Sequence, residues 1–360
     1  MAQDPQQPSR SERIRGAIMG AFVGDALALG PHWYYDLDEL RSAYGEWIRD
    51  YTAPRPGRYH AGLPAGASSQ SGVILALTLQ SLVDSGRYDE ADFCRRLDED
   101  LFPQLDGQPM AGPGGYTSQS MRDVWHARQR GWPWGQVASL ADNTEAAERV
   151  LAIAVRYAHD PALLARYVAG NTALTQRDPT VGAMTLAYGA VLGQLVQGEA
   201  LDAHLSGKLM AMVKDGRLPF HTVTSGHLDL PRGAEAALQA GEFASPDALL
   251  TVSSIASAVQ DYGVVIDPAW KVSLVYGMPC AVYHQFPAAY HLAARFGSEF
   301  ESAVLHAVNG GGQNQARAIL TGALCGALGG LQAIPSRFLD DLQKAEEYLA
   351  LATQLAEQAD

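Results

Sequence analysis

The chain lacks the features that mark most nucleic-acid-binding, membrane and exported proteins. It carries 26 Lys and Arg against 39 Asp and Glu, for a formal net charge of −13, and its basic residues form no cluster. A phosphate-backbone footprint needs a basic stripe, so nucleic acid is not an expected partner. Cysteine is scarce. Cys94, Cys280 and Cys325 sit in apolar helical contexts without metal-type spacing, and they read as core thiols of a reducing compartment. Residues 1–10 are polar and rich in Pro and Gln, with no apolar h-region, so no signal peptide is expected and the location is cytoplasmic. The most apolar stretch, about 316 to 334, is interrupted by Gly and Thr in a chain of mean hydropathy −0.08; it reads as a buried helix, and no membrane span is expected. Also missing are a Walker A sequence, a G-x-G-x-x-G, a G-x-S-x-G elbow and any repeat of domain-building length.

Period-two alternation is nearly absent too, which argues against strands. Helical spacing takes its place. Ile14, Ala17, Ile18, Ala21 and Phe22 recur at i, i+3, i+4, i+7 and i+8, as do Ala316, Ile319, Leu320, Ala323 and Leu324, with Ala327 and Leu328 continuing the pattern. Similar patterns at 71–84, 89–101, 118–129, 143–158, 160–170, 180–197, 199–213, 233–240, 246–259, 268–284, 298–308 and 336–357 predict an all-α chain. The spacing of Gly322 and Gly326 lets a second helix approach closely. Loops are predicted at 43–70, 102–117, 131–137, 216–232 and 260–267; those at 45–69 and 217–232 exceed ordinary connections, as functional loops do. No composition break resembles a linker, so residues 11–360 read as a single domain behind a disordered tail at 1–10. The sequence fixes no oligomeric state.

Two polar segments each open an apolar helical run: Ser68-Ser69-Gln70-Ser71 and Gln313-Asn314-Gln315-Ala316. Around them, Gly16 to Gly30, with Gly20, Gly24, Asp25 and Gly30, resembles the opening helix of the ADP-ribosylglycohydrolase family. Asn143 to Val150 is similar to that family's central Gly-Asn-Gly-Ala-Ala segment, and Leu174-Thr175-Gln176 to its Leu-Thr-His, with Gln176 in place of the His. Asn309-Gly310-Gly311-Gly312, Leu320 to Ala327 and Ile334-Pro335-Ser336-Arg337-Phe338 follow in the family's order. The resemblance covers roughly 11 to 340. It implies an orthogonal all-helical bundle forming one compact domain, glycohydrolase chemistry, and carboxylates at the two polar segments that hold two Mg²⁺ ions.

In this chain those positions, 69, 70, 313 and 315, carry Ser, Gln, Gln and Gln. Removing about four negative charges leaves neutral oxygens that rarely offset dehydration of Mg²⁺, so no metal and no cofactor is expected. Asp25 is the one family acid retained, and it is the first catalytic candidate. Helix capping accounts for one residue in each segment. A polar pocket accounts for the runs, since Ser, Asn and Gln both donate and accept hydrogen bonds. Ser68, Ser69, Gln70, Gln313, Asn314 and Gln315 are therefore candidate ligand contacts. Gly114, Gly115 and Tyr116 fall where the resemblance places a glycine-rich loop near a ribose and base; a plain turn is the alternative reading. His32 and Trp33 open an aromatic run that suits stacking on a base, or simply a core rim. Glu145 and Glu148 share a helix face, and Glu145 is the second catalytic candidate. His221, His227 and Asp229 match no metal spacing. The expected ligand is a nucleotide-sugar- or sugar-like small molecule. The expected role is metal-free glycosidic hydrolysis, ligand sensing by a pseudoenzyme, or a structural role.

Overall fold

The computed structural model describes residues 7–220, 243 and 247–359. Among them there is no sheet, and helices follow one another along the chain: Arg10–Leu29 (α1), Leu37–Tyr44 (α2), Gln70–Ser85 (α3), Glu90–Arg96 (α4), Gln119–Gln129 (α5), Glu145–Arg156 (α6), Pro161–Thr175 (α7) and Pro179–Val196 (α8). After them come Leu205–Lys214 (α9), Asp247–Gln260 (α10), Val272–Tyr276 (α11), Val282–Phe296 (α12), Phe300–Asn309 (α13), Asn314–Gly329 (α14), Ser336–Asp340 (α15) and Ala345–Gln358 (α16). The starts are chemically specified. Side chains of Ser9, Asp36, Ser69, Asp89, Ser118, Asp160 and Asp178 each accept a backbone N–H of the first turn, satisfying donors that helical bonding leaves open. Proline follows directly at the first position of α7 and α8, where its missing N–H costs nothing.

From Ala17 to Leu29, α1 is buried on every side, and so is most of α14, as a helix apolar all round must be. The two run antiparallel and meet backbone to backbone. A Cβ added at Gly20 would lie 2.2 Å from the Gly322 carbonyl oxygen, and one at Gly326 would lie 2.0 Å from that of Gly16. Further along, Gly24 faces Ala318. The close approach foreseen from Gly322 and Gly326 is this contact. Phe22 stacks on Tyr348 of α16 with ring centroids 3.8 Å apart, and Tyr188 of α8 donates its hydroxyl to the Leu320 carbonyl at 2.9 Å. A second apolar cluster, including Phe93, Leu97, Leu101, Met121 and Leu174, sits beneath α4 and α5. One described helix, α8, is long and apolar enough to cross a bilayer, but 72% of that stretch is buried within the protein.

The structure corrects three sequence-derived boundaries. The predicted helix at 268–284 is broken at Gly277, whose φ is +116°, and helix resumes as α12 through Pro287. A mid-helix proline ordinarily ends the pattern, so the second half was missed. The predicted helix at 336–357 is two helices parted at Lys344 (φ +62°), where Gln343 donates its N–H to the Gly66 carbonyl at 2.9 Å. The eight-residue α2 was not foreseen, being too short to show periodicity. The predicted helix at 233–240, His221, His227 and Asp229 lie outside the described residues, as do positions 1–6 of the proposed tail.

Candidate functional site

The antiparallel register of α1 and α14 brings the Asp25 end of the first helix to the Gln313 end of the second, and α3 begins beside them. Residues 68–71 and 313–316, far apart in sequence, thus meet. Ser69, Gln70, Ser71, Gln313 and Gln315 line one cleft of about 240 Å³, and Trp33, Tyr116, Arg122, Asp142, Asn143, Glu145, Glu148 and Cys280 are among the other residues of its wall.

Asp25 does not line that cleft. Its carboxyl is walled behind Ser69, whose Oγ donates to Oδ1 at 2.5 Å and whose N–H donates to Oδ2 at 2.9 Å. Burial pushes Asp25 up to about 7 against the pull of these two bonds, and the nearby Glu148 charge adds to the rise. Ser69 is also the cap of α3, accepting the Ser71 N–H at 3.0 Å, so one hydroxyl joins the helix start to the buried acid. Ser68 turns away to Tyr348, 2.9 Å distant.

The amides divide into fixed and free. Gln70 is fixed at both ends: Nε2 donates to Thr117 Oγ1 at 3.2 Å and Oε1 accepts the Ser118 N–H at 3.3 Å. Asn314 points inward, its Nδ2 donating to the Pro31 and Val308 carbonyls, and its Oδ1 is buried without a partner. Gln315 reaches the cleft with Nε2 buried and unpartnered. Such orphans are rare in folded interiors and call for an explanation. Gln313 meets His32 at 2.7 Å, and His32 meets His60 at 2.6 Å.

Gly114 and Gly115 support the wall and are not part of it. A Cβ on Gly114 would lie 2.1 Å from the Gln70 nitrogen, and one on Gly115 would lie 2.7 Å from the His60 Cα; both glycines have positive φ. Their loop packs down on the start of α3, and Tyr116 enters the cleft from it. Trp33, itself at φ +62°, packs edge-on against Tyr59 and Tyr116 with centroids 4.6 and 4.3 Å away. The aromatic run is therefore a rim with one face on the cleft.

The two glutamates of α6 differ sharply. Glu145 is paired with the fully buried Arg149 at 2.7 Å, and Arg149 is held in turn by Asn171 and Thr175. Glu148 has no cationic contact of this kind. Thr144 Oγ1 donates to it at 2.6 Å. Burial raises it above the ordinary carboxyl range, hydrogen bonds from Ser71 and Thr144 oppose the rise, and Glu145 adds to it. Gln176 orders the loop before them, accepting the Ala146 N–H and donating to the Ala141 and Asn143 carbonyls. Asn143, whose Oδ1 accepts from Ser120 and Gln176, is left with its Nδ2 for the cleft. The importance of His60 and Asn143 was not apparent from sequence. For Glu148 over Glu145 a signal was present: Arg149 stands at i+4 to Glu145.

The residues at the family's metal positions do not fit a pair of Mg²⁺ ions. Hard divalent ions need carboxylates or free oxygens. Here Gln70 Oε1 and both oxygens of Asp25 are already hydrogen-bonded within the protein, and among the described residues no three His, Cys, Asp or Glu side chains are grouped so that they could hold a metal ion.

The cleft lies where α3, α6 and α14 begin within an all-helical bundle. The family model described as ADP-ribosylglycohydrolase matches residues 6–360, and the chain belongs to that family. It is 26% identical over 350 residues to an uncharacterized protein of Archaeoglobus fulgidus, with 96% of each chain covered. A solved structure titled ADP-ribosylglycohydrolase-related protein complex has the same fold, with a TM-score of 0.62 at 21% identity over 98% of this chain and 99% of that one.

Proposed function

We propose that the cleft takes an ADP-ribose-, nucleoside- or sugar-like small molecule, held by neutral amides and hydroxyls instead of divalent ions, and that Glu148 handles the proton in cleavage of a glycosidic bond. The observation that carries this reading is the pair of unlike carboxyls in a cleft whose wall also holds Arg122 and Asp142: Glu145 is ion-paired with Arg149, while Glu148 makes no ion pair among the described residues and is raised by burial. A carboxyl raised above its ordinary range by burial is the better placed of the two to give its proton to the leaving group as the bond breaks. The positive charge then developing on the sugar faces Glu145, and the proton lost by the attacking water restores Glu148. Neither nucleic acid nor a membrane enters this reading, and the free thiols suit a cytoplasmic setting.

One observation favours a second reading, a ligand sensor without turnover. Asp25, the acid that the family resemblance puts at the centre, is engaged at both oxygens by Ser69. One experiment separates the two. Calorimetry against ADP-ribose, ribose and nucleosides should show modest binding, weakened roughly 10- to 100-fold by Gln313→Ala with Gln315→Ala, the loss of a few neutral hydrogen bonds. Release of free sugar should fall about 10²- to 10⁴-fold in Glu148→Gln while binding persists. Binding without release in the wild type supports the sensor, and binding of none of these compounds removes both readings.

A further inference from the structure

Behind the cleft wall runs a line of buried polar groups that the proposed chemistry does not use. His60 Nδ1 makes a short contact with the Gly114 carbonyl oxygen, His60 Nε2 lies 2.6 Å from His32 Nδ1, and His32 Nε2 lies 2.7 Å from the end of the Gln313 side chain. The two imidazoles are 2% and 1% exposed, with ring centroids 4.9 Å apart. Their backbones are fixed as well. The Gly312 N–H donates to the Tyr34 carbonyl at 2.7 Å, the Trp33 N–H to the Gly312 carbonyl at 3.1 Å, and the His60 N–H to the Gly115 carbonyl at 3.1 Å.

A proton count along this line decides how Gln313 is turned. A carbonyl oxygen only accepts, so His60 carries its proton on Nδ1, and a neutral His60 then accepts at Nε2. His32 must donate to it from Nδ1, and a neutral His32 is left to accept at Nε2. Only the amide nitrogen of Gln313 can donate there, which leaves its carbonyl oxygen for the cleft. The opposite orientation, with Oε1 toward His32, needs a third proton and so a net positive charge on the pair. Among the described residues no carboxylate hydrogen-bonds to either ring, and an unpaired buried charge is costly. Trp33 and Tyr116 are the aromatic neighbours of His32, and they bring no charge. Burial holds His60 down to about 4 and His32 well below the ordinary histidine range. The ends of a Gln amide are told apart only by their partners, and these partners specify the turned amide.

We propose that the line from the Gly114 carbonyl through His60 and His32 is a positioning device for Gln313, turning its amide so that the carbonyl oxygen faces the cleft and accepts a hydroxyl or N–H of the ligand. Only the final clause rests on the cleft being a ligand site. Nitrogen-15 spectra of labelled histidines in the full chain test the device without any ligand. Both His32 and His60 are expected neutral, with the proton on Nδ1, from pH 8 down to about pH 5.5. A proton on Nε2 of His32, or a charged pair at pH 7, overturns the proposal whatever the protein binds. A second arm uses ADP-ribose as the probe. His60→Asn, a residue that tolerates the left-handed φ of +65°, is expected to weaken binding about 3- to 10-fold, the size of one neutral hydrogen bond, and to lower the melting temperature without unfolding the protein at 25 °C. Adding Gln313→Met should weaken it no further. Additive losses would show that the histidines do not act through Gln313, and the spectra of the wild type decide the matter if the variant fails to fold.

Discussion

The seam between α1 and α14 and the cleft beyond its end share α14, yet they are built by opposite means. Along the seam, side chains are removed: Gly16, Gly20 and Gly24 meet Gly326, Gly322 and Ala318, and backbone lies on backbone. At the end of α14 side chains are supplied, and they are polar. Asn314 Oδ1 and Gln315 Nε2 are buried with hydrogen-bonding capacity unmet. Burial therefore says little about function in this molecule. Unspent hydrogen bonds say more, because a fold does not leave them without a reason.

The sharpest way to break the comparison is on the polar side. Arg149→Met should cost about 3–5 kcal/mol in denaturant titrations, because it strands the buried Glu145. A loss below about 1 kcal/mol would show that the pair is not a structural requirement. Next is the seam. Gly322→Ala should destabilise by about 2–3 kcal/mol, since the added methyl would lie 2.1 Å from the Gly20 carbonyl oxygen. Helix propensity alone predicts a gain of about 1 kcal/mol, so the sign of the change is the test.

An effect spread over several pH units is expected from titration. Asp25 is raised from 3.8 to about 7, so between these values the folded chain keeps a proton that the unfolded chain has lost. Stability should fall as pH rises through that window, by up to about 1.4 kcal/mol per pH unit, and then level off. Glu148 is shifted in the same direction. Asp25→Asn should flatten the slope in thermal melts, and an unchanged slope would remove Asp25 as its source. The smallest effect concerns metal. The melting temperature should move by less than roughly 1 °C with millimolar MgCl₂ or chelator, because stabilisation scales with ligand occupancy of the native state. A rise of several degrees that is lost in Asp25→Ala would reverse the reading of the donor set.

The seam could be read in the sequence because it is a matter of spacing: apolar residues at helical period, with glycines four apart. The meeting of the two polar segments was legible from the family resemblance, and it follows physically from the same antiparallel register. The division of labour among the polar residues was not legible. Whether Ser68 faces the cleft or Tyr348, and whether Asn314 faces ligand or the Pro31 carbonyl, depends on helices that lie far off in sequence. His60 sits in an irregular loop with no period to read. Pro287 concealed half of α12, because a residue that usually stops a helix is held inside one here by buried neighbours such as Phe286 and Tyr290.

The glycine seam also sets the two sides of the cleft apart. Two helices that touch through their carbonyls can neither slide nor part without losing the whole contact, so Asp25 and Gln313 stand on a fixed floor. The opposite rim is held differently. The loop carrying His60 and the loop carrying Gly114 and Tyr116 are tied to each other by the His60 N–H to Gly115 carbonyl bond and rest on the start of α3. The cleft thus has a floor set by backbone contact between helices and a rim set by hydrogen bonds between loops.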